Sequence, residues 1–312
     1  MLEILEVSGI ATLQDTGRRG WSKFGVPTSG AMDWVAHQTA NSLLNNPPNS
    51  ATIELGLGDI TLHALHNTVL AVTGAGYQVE NYIWTFPLWT TFYVRAGWTV
   101  RVKKTSRGNW AYIAIAGGFD SPVIMNSRST YLRGGIGYAL KTGDILHSFT
   151  PSTDLLKLAA RDFPVENFMP YNQTPTIEVI PAPQAEWFTE AGIRTFYESE
   201  YTLSSSFDRM GYRLQGAAVE KEIAKELISE GMIMGSIQIP ADGQPIVMMA
   251  DAPTAGGYPK IANVTRASLP LLAQCEAGVS KIRFRETTIE EAQEKYRHLA
   301  TSASSYVFLP NR

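Results

Sequence analysis

The segment TVLAVTGAGYQVE, residues 68–80, shows the pattern from which we predict the fold. Two short runs rich in apolar and β-branched side chains flank Gly-Ala-Gly, a turn signal because glycine tolerates backbone angles that other residues avoid. The pattern recurs in TTFYVRAGWTVRVKK, residues 90–104, and in NWAYIAIAGGF, residues 109–119. Many short strands separated by turns are typical of barrels and sandwiches. The sequence therefore predicts a mainly β protein.

Two segments show helical spacing instead. SGAMDWVAHQTANSLLNN predicts a helix over about residues 31–45, with Ser29 as its cap. TTIEEAQEKYRHLATS predicts a surface helix from Thr288, because acidic residues open the segment and basic residues follow late, which suits the helix dipole. The side chains expected to pack this second helix are Ile289, Ala292 and Tyr296.

The length of 312 residues leaves room for two domains with buried cores. Strand periodicity is lost around residues 148–175, where Pro, Ser, Thr and Asn accumulate as they do between folded units. We predict a β-barrel-like domain over residues 1–150, a connector over 151–170 and a second β-barrel over 171–290. A C-terminal helix and tail are expected over 288–312.

Charge and cysteine content narrow the class of protein. The net charge of −3 comes from 26 basic and 29 acidic residues, without the basic excess that nucleic acid or an anionic membrane would require. Cys275 is the one cysteine, which excludes an internal disulfide and fits a reducing compartment. With no apolar leader or membrane-spanning run, we expect a soluble, cytoplasmic protein. The five histidines are scattered, and no metal site is expected.

A first polar cluster lies in TLQDTGRRGWSKFGVPTSGAMD, residues 12–33. It contains Asp15, Arg18 and Asp33 among glycines and prolines. One interpretation is a loop in which Asp and Arg pair with each other and the chain caps the following helix. The alternative is a surface that binds a ligand or partner, since loops on a rigid scaffold often carry such residues.

A second polar cluster lies in SSSFDRMGYRLQG, residues 204–216, and in the long segment SEGMIMGSIQIPADGQPIVMMADAPTAGGYPKIA, residues 229–262. Arg209 offers a planar fork, and Gln238 and Gln244 can donate to and accept from an amide. Glu230 and Asp251 have the chemistry of a general acid or base. The competing interpretation is that Asp251 and Arg209 form a structural pair while the glutamines cap strand edges.

These segments resemble the allophanate hydrolase subunit 2 family. The motifs TLQDTGRRGW, AIAGGF, DRMGYRL, GSIQIP, GQPIVMMAD and GGYPKIA occur in the order seen in that family. The family also contains the Kip-inhibitor antagonist, the C subunit of the prokaryotic 5-oxoprolinase, and one half of the carboxyltransferase region of urea amidolyase. The resemblance implies two cyclophilin-like β-barrel domains. It also implies a companion from the allophanate hydrolase subunit 1 family, to which the B subunit of 5-oxoprolinase is related.

The resemblance further implies a site. In the family the second polar cluster contributes to a cleft for a small amide-like substrate. The expected catalytic residues are Glu230 and Asp251. The expected substrate-binding residues are Arg209, Gln238, Gln244 and Tyr258, with Asp15, Arg18 and Asp33 as a second group.

Three functions are compatible with this family. The first is a hydrolase component that is inactive alone and works with the B and A subunits of 5-oxoprolinase in ATP-dependent opening of 5-oxoproline; ATP would be used by the complex. The second is carboxyl transfer to urea or a similar amide, with biotin supplied by a partner because this chain has no biotinyl-lysine motif. The third is a regulatory protein that antagonises a kinase inhibitor.

Overall fold

The computed structural model describes residues 1–105, 107–167, 169–222, 227–304 and 307–308. The chain divides into two compact units. The first contains Met1–Arg18, Ser29–Pro170 and the described residues from Leu299 onward, and the second contains Arg19–Thr28 and Tyr171–His298. Residues 19–28 and 299–304 therefore depart from the sequence-based domain bounds. Residues 305–306 and 309–312 of the expected tail lie outside the described residues.

The strands of the first unit form two seven-stranded sheets. In chain order they are β1 (Leu2–Val7), β2 (Ile10–Gln14), β3 (Thr52–Gly56), β4 (Ile60–Ala64), β5 (Thr68–Gly74), β6 (Tyr77–Glu80), β7 (Thr85–Phe86), β8 (Thr90–Val94), β9 (Thr99–Lys104), β10 (Trp110–Ile115), β11 (Phe119–Asp120), β12 (Ile145–Ser148), β13 (Arg161–Asp162) and, near the C-terminus, β23 (Val307–Phe308). One sheet has the order β11-β12-β1-β4-β9-β6-β7, and the other has the order β2-β3-β10-β5-β8-β13-β23.

The second unit contains a closed barrel of seven strands, ordered β14-β21-β18-β19-β16-β15-β22, and a small ribbon of β17 and β20. These strands are β14 (Thr176–Pro181), β15 (Tyr201–Phe207), β16 (Gly211–Gln215), β17 (Glu230–Gly231), β18 (Ser236–Gln238), β19 (Ile246–Met248), β20 (Ala255–Gly256), β21 (Lys260–Val264) and β22 (Lys281–Glu286). The barrel closes through the parallel pairing of β14 with β22. The mainly β prediction is confirmed.

The described residues form five α-helices, four of them ten residues long or shorter. They are α1 (Trp34–Leu43), α2 (Leu155–Leu158), α3 (Glu190–Glu198), α4 (Leu269–Ala273) and α5 (Ile289–Ala303), with 3-10 turns at Ser22–Phe24, Leu132–Gly134, Val165–Asn167 and Ala185–Trp187. Thr288 caps α5 as expected, because the Glu291 amide donates to its Oγ1 at 3.2 Å. Of the expected packing residues Ala292 is buried, but Ile289 is 54% exposed; Leu299 and Ala303 supply buried contacts instead.

The core of the first unit explains why β5 does not alternate. All seven residues of β5 are buried. Leu70 and Val72 join the apolar cluster of the unit, whereas the Thr73 hydroxyl donates to the Ala36 carbonyl of α1 at 2.7 Å. Because α1 covers one face of the strand and the apolar cluster covers the other, every position of β5 is removed from water.

The first turn of α1 corrects the predicted cap. The helix starts at Trp34, and the Asp33 carboxylate accepts a hydrogen bond from the Ala36 amide at 3.0 Å. Ser29 lies upstream of this turn with a φ of 54°, so it does not cap the helix. Serine and aspartate both cap helices well, so local sequence does not distinguish them. Asp33 is the cap because its amide donates to the Tyr112 hydroxyl, which places it at the start of the helix.

That network is centred on Glu54 of β3. Glu54 Oε2 accepts hydrogen bonds from the Met32 amide at 2.8 Å and the Tyr112 hydroxyl at 2.7 Å. The same hydroxyl accepts from the Asp33 amide at 2.8 Å. Burial, followed by the charge of Glu54, raises the pKa of Tyr112 well above its ordinary value. The network ties the start of α1 to two central strands.

The segment over residues 151–170 belongs to the first unit, although the sequence predicts a connector. It carries α2 and β13. Arg161 is 3% exposed and donates from Nη1 to the Leu43 carbonyl at 2.8 Å, while the Thr91 hydroxyl donates to the Leu158 carbonyl at 2.6 Å. Arg161 and Thr91 thus satisfy backbone carbonyls where the segment meets the unit, while Ser152, Asp154 and Lys157 of the segment are exposed.

A pH dependence of stability follows from His37 in α1. The ring is 2% exposed and its Nδ1 lies 2.9 Å from the Thr52 hydroxyl. Burial lowers the pKa of His37 to about 4, although the Asp15 charge opposes this. The unfolded chain therefore takes up the proton near pH 6.5, whereas the folded chain takes it up only near pH 4. The contribution of His37 to the free energy of unfolding is complete above pH 6.5 and falls as the pH drops toward 4.

Between pH 6.5 and 4, we expect the free energy of unfolding to fall by about 3 kcal/mol less in His37→Gln than in the wild type. Urea unfolding at a series of pH values measures this slope. The exposed His147 in β12 provides the control, because His147→Gln should retain the wild-type slope. Identical slopes for His37→Gln and wild type would contradict the assignment.

Candidate functional site

The second polar cluster folds back on itself through the ribbon of β17 and β20. Glu230 pairs with Gly256, and Gly231 pairs with Ala255. The ribbon continues where the Met232 amide donates to the Thr254 carbonyl at 3.0 Å. Two parts of the segment that are separated by about 25 residues of sequence thus become neighbours, and the side chains between them converge.

Gly256 lies at the centre of this convergence. The Gln238 side chain is buried, and its Nε2 donates to the Tyr258 carbonyl at 3.1 Å. A Cβ on Gly256 would lie 2.6 Å from Gln238 Nε2 and 3.2 Å from Met232 Sδ. A side chain at this position would therefore have to displace the Gln238 carboxamide from its place.

Lys260 completes the cluster and was missed by the sequence analysis. Its Nζ lies 2.8 Å from Glu230 Oε1 and donates to the Gly231 carbonyl at 3.1 Å. Lys260 is the register partner of Gln238 across β18 and β21. Its side chain is 11% exposed and that of Glu230 is 34% exposed, so solvent reaches the carboxylate more readily than the ammonium group. We call Glu230, Gln238, Gly256, Tyr258 and Lys260 the Gly256 site.

A signal for Lys260 is present in the sequence. It follows Tyr258 by two positions in GGYPKIA, so on an extended strand the two side chains point to the same face. Charged residues at the start of an otherwise apolar strand are seldom buried unless they are paired. Glu230 is its partner, and the 30 residues that separate the two positions conceal this pairing in the sequence.

The Gly256 site combines an ammonium group, a carboxylate and a carboxamide. An amide substrate presents one carbonyl acceptor and, in a lactam or urea, an N–H donor. Lys260 and Gln238 can donate to the carbonyl oxygen, and Glu230 can accept from the N–H group. Tyr258 contributes its backbone carbonyl to Gln238, while its side chain is half exposed beside the cluster.

Arg209 and Asp251 form a separate buried ion pair. Arg209 Nε and Nη2 donate to the two carboxylate oxygens of Asp251 at 2.9 and 3.0 Å, and the Asp251 amide donates to the Arg209 carbonyl at 2.7 Å. Both residues are 7% exposed. Both carboxylate oxygens are occupied by the guanidinium group, which favours the structural interpretation. The neighbouring Ala252 packs with Met232 and Met248, which connects the pair to the Gly256 site.

Gln244 closes a loop. Its Nε2 donates to the Gly216 carbonyl at 3.2 Å and its Oε1 accepts from the Gly216 amide at 2.9 Å. Both ends of the carboxamide are used by one backbone position. The structure therefore places Gln244 beside the end of β16, as the capping interpretation predicts, and among the described residues it forms no hydrogen bond with the Gly256 site.

The residues of the first polar cluster bind the loop around Arg128. The Asp15 carboxylate accepts hydrogen bonds from the Gly17 amide at 2.8 Å, the Ser127 hydroxyl at 2.6 Å, the Ser129 hydroxyl at 2.5 Å and the Arg128 amide at 2.6 Å. Four donors on one buried carboxylate satisfy its acceptor capacity. Asp15 is therefore an anchor for this loop.

Arg18 and Asp33 have different tasks. The guanidinium group of Arg18 is fully buried and donates to the Ser129 carbonyl, so it holds the same loop as Asp15. Asp33 caps α1. The structure thus unites Asp15 and Arg18 through a segment more than 100 residues away in the chain, and it leaves Asp33 in the network of Glu54.

The sequence also raised a cysteine, a metal site and a membrane span as questions. Cys275 is buried, and burial raises the pKa of its thiol to about 12, so it is protonated at neutral pH. Within the described ranges, no group of three or more His, Cys, Asp or Glu side chains is arranged to hold a metal ion. No helix in the described part of the chain is long and apolar enough to cross a membrane.

The bidentate pair gives a prediction for stability. We expect Asp251→Ala to lower the free energy of unfolding by about 3–5 kcal/mol, because it leaves a buried guanidinium group without its counter-ion. Guanidinium chloride unfolding measures the change. Glu200→Ala breaks the exposed pair with Arg283 in the same unit and should cost about 1 kcal/mol or less. Equal effects of the two substitutions would argue against a structural role for the Arg209–Asp251 pair.

Comparison with known proteins adds relatives over nearly the whole chain. The C subunit of 5-oxoprolinase from Haemophilus influenzae is 38% identical over 302 residues, which cover 95% of this chain and 94% of the relative. The protein of the same name from Escherichia coli is 36% identical over 302 residues, covering 94% and 93% of the two chains.

Solved structures share the fold but are longer. The urea carboxylase of Kluyveromyces lactis matches with a TM-score of 0.86 and 25% identity, covering 97% of this chain and 29% of that one. This chain likewise spans 55% of another solved chain, matched with a TM-score of 0.80. The family described as carboxyltransferase domain, subdomain A and B, matches residues 24–286. On this match and the end-to-end likeness to the two bacterial relatives, the chain belongs to the carboxyltransferase subdomain A and B family.

Proposed function

We propose that this chain is the C subunit of a 5-oxoprolinase, a component of a hydrolase complex that opens 5-oxoproline to glutamate at the expense of ATP. The observation that carries the proposal is the likeness, along nearly the full length of both chains, to two proteins that bear this name. The name of these relatives implies companion subunits.

The chemistry of the Gly256 site supports this proposal. Resonance stabilises a lactam, so opening the ring requires donors directed at the carbonyl oxygen, where negative charge develops. We assign this role to Lys260 Nζ, assisted by the Gln238 amide. Glu230 lies 2.8 Å from Lys260 Nζ and is partly exposed, which suits a group that exchanges a proton with the substrate nitrogen. Asp251 then has a positioning role: it holds Arg209, and the adjacent Ala252 packs with Met232 and Met248.

We place ATP on a companion protein of the complex. The glycine-rich segment GLGD, residues 56–59, joins β3 to β4, and GAGY, residues 74–77, joins β5 to β6. Neither segment precedes a helix whose N-terminus could receive a phosphate group. The residues of these turns do not fit a phosphate-binding loop, so no step of the proposed reaction is assigned to ATP on this chain.

The proposed assembly includes a companion of the allophanate hydrolase subunit 1 type, equivalent to the B subunit of 5-oxoprolinase, together with the A subunit. The Gly256 site lacks an activated nucleophile, because Ser229 and Ser236 of the segment have no neighbouring histidine in it. The isolated chain is therefore expected to show no turnover of its own.

Carboxyl transfer to urea or a related amide is the second candidate. It is favoured by the family match itself, since the family is described as a carboxyltransferase domain. Biotin would then arrive on a partner. Inhibition of the assembled complex by avidin distinguishes this reaction from lactam hydrolysis, which requires no biotin.

We expect Lys260→Gln to reduce 5-oxoproline-dependent ATP hydrolysis by the co-purified complex by about 100-fold, because it removes the cation at the lactam oxygen. Lys281→Gln is the matched control: Lys281 is an exposed lysine of the same unit whose Nζ bonds to Thr202. Thermal unfolding of both variants reports any loss of fold.

Two results would contradict the proposal. One is wild-type turnover by the Lys260→Gln complex, which would remove the Gly256 site from the reaction. The other is a complex with all companion subunits that hydrolyses no 5-oxoproline but carboxylates urea in an avidin-sensitive manner, which would establish the second candidate.

A further inference from the structure

The first unit contains a cavity of about 330 Å³ that the proposed function does not use. It lies where the loop after α1, the end of β10 and the segment after β12 meet. Its size is at the lower end of the range for small-molecule sites. Arg128 is the one charged side chain among its described lining residues.

The guanidinium group of Arg128 is not neutralised by the protein. Arg128 is half-buried, and its guanidinium carbon lies 5.3 Å from the centre of the Phe149 ring. In the described part of the chain the guanidinium group makes neither an ion pair nor a hydrogen bond. Arg128 also lines a second cavity of about 120 Å³ in the same unit. A cation placed between two cavities with all its donors unused is suited to binding an anion.

Neutral donors accompany this cation. Asn49, Ser50, Thr150 and Ser152 line the larger cavity. Among the described residues none of their side-chain polar groups forms a hydrogen bond. The lining also includes the Phe119 ring, so the cavity offers apolar surface together with these donors. One positive charge, several neutral donors and an aromatic wall suit a small monoanion better than a phosphate, which carries close to two charges.

The position of Arg128 is built into the fold. The preceding turn is closed by hydrogen bonds between Ile124 and Ser127, with Met125 and Asn126 at φ values of 54° and 63°. Two consecutive positive φ angles define a type I′ turn, which methionine adopts at a cost. The Asp15 carboxylate offsets that cost by accepting from the Arg128 amide and from the hydroxyl groups on either side.

We propose that the Arg128 cavity binds a small ligand through its carboxylate group, with Arg128 as the counter-ion. The geometry of a guanidinium fork matches a carboxylate with two parallel hydrogen bonds, and Ser50, Thr150 and Ser152 supply donors for the remaining polar atoms. The inference rests on the proposed function only for the choice of 5-oxoproline as a probe, because that lactam carries a carboxylate.

Isothermal titration of the purified chain tests the site. The probes are 5-oxoproline, glutamate, inorganic phosphate and 2-pyrrolidinone, which is the lactam without the carboxylate. We expect at least one of the two carboxylates to bind and Arg128→Gln to weaken its binding at least tenfold through loss of charge-assisted hydrogen bonds, whereas any binding of 2-pyrrolidinone at the Gly256 site should be equal in wild type and Arg128→Gln. Arg128→Lys keeps the charge without the fork and should give an intermediate loss.

Arg95→Gln is the matched control. Its guanidinium group also lies over an aromatic ring of the first unit, that of Trp98 at 5.6 Å, but it lines neither cavity. Carboxylate binding should be unchanged in this variant. Wild-type affinity in folded Arg128→Gln, binding of phosphate alone, or an equal loss of 5-oxoproline and 2-pyrrolidinone binding in Arg128→Gln would overturn the proposal.

Turnover by the assembled complex separates this inference from the proposed function. Carboxylate binding that depends on Arg128, in a complex without 5-oxoproline hydrolysis, would retain the cavity and reject the function. Hydrolysis by a complex in which this chain, tested alone, binds no carboxylate would retain the function and reject the cavity.

Discussion

The buried carboxylate of Asp15 is the constraint on which the loop around Arg128 depends. It accepts four hydrogen bonds, and three of them come from the consecutive residues Ser127, Arg128 and Ser129. Each unsatisfied donor in such a setting would cost about 1–3 kcal/mol. A loop with two left-handed residues is stable here because this anion holds it, and Arg18 adds a bond to the Ser129 carbonyl.

The ion pairs of the second unit show how similar charges acquire different tasks. Arg209 and Asp251 are equally buried, and the guanidinium group holds both carboxylate oxygens, so the pair stabilises the packing around it. Lys260 and Glu230 meet through one contact, with the carboxylate one-third exposed. A carboxylate whose two oxygens are both held must be released before it can act on a ligand, whereas a single contact leaves donors and acceptors available. This difference separates the structural pair from the Gly256 site.

The strand pattern was readable from local sequence because runs of apolar and β-branched residues and the glycine turns that bound them depend on neighbouring residues. TVLAVTGAGYQVE indeed forms β5, a turn and β6. The C-terminal helix was also located by its cap and the acidic residues of its first turn, both of which act within one turn. The helix continues to Ala303, so its last turn carries no basic residue. The α1 cap was misassigned because Ser29 and Asp33 are equivalent candidates locally, and the choice depends on contacts with Glu54 and Tyr112.

For the candidate sites, sequence alone identified the residue types and the long segment 229–262, since clustered glycine, amide and acidic residues are visible without a structure. Tertiary structure determined which of them meet. It joined Glu230 to Lys260, separated Gln244 from both, and converted Asp15 from a candidate ligand contact into the anchor of Arg128. The physical reason is that an ion pair or a buried carboxylate is satisfied by whichever partner the fold brings within about 3 Å, and long-range strand pairing sets that proximity.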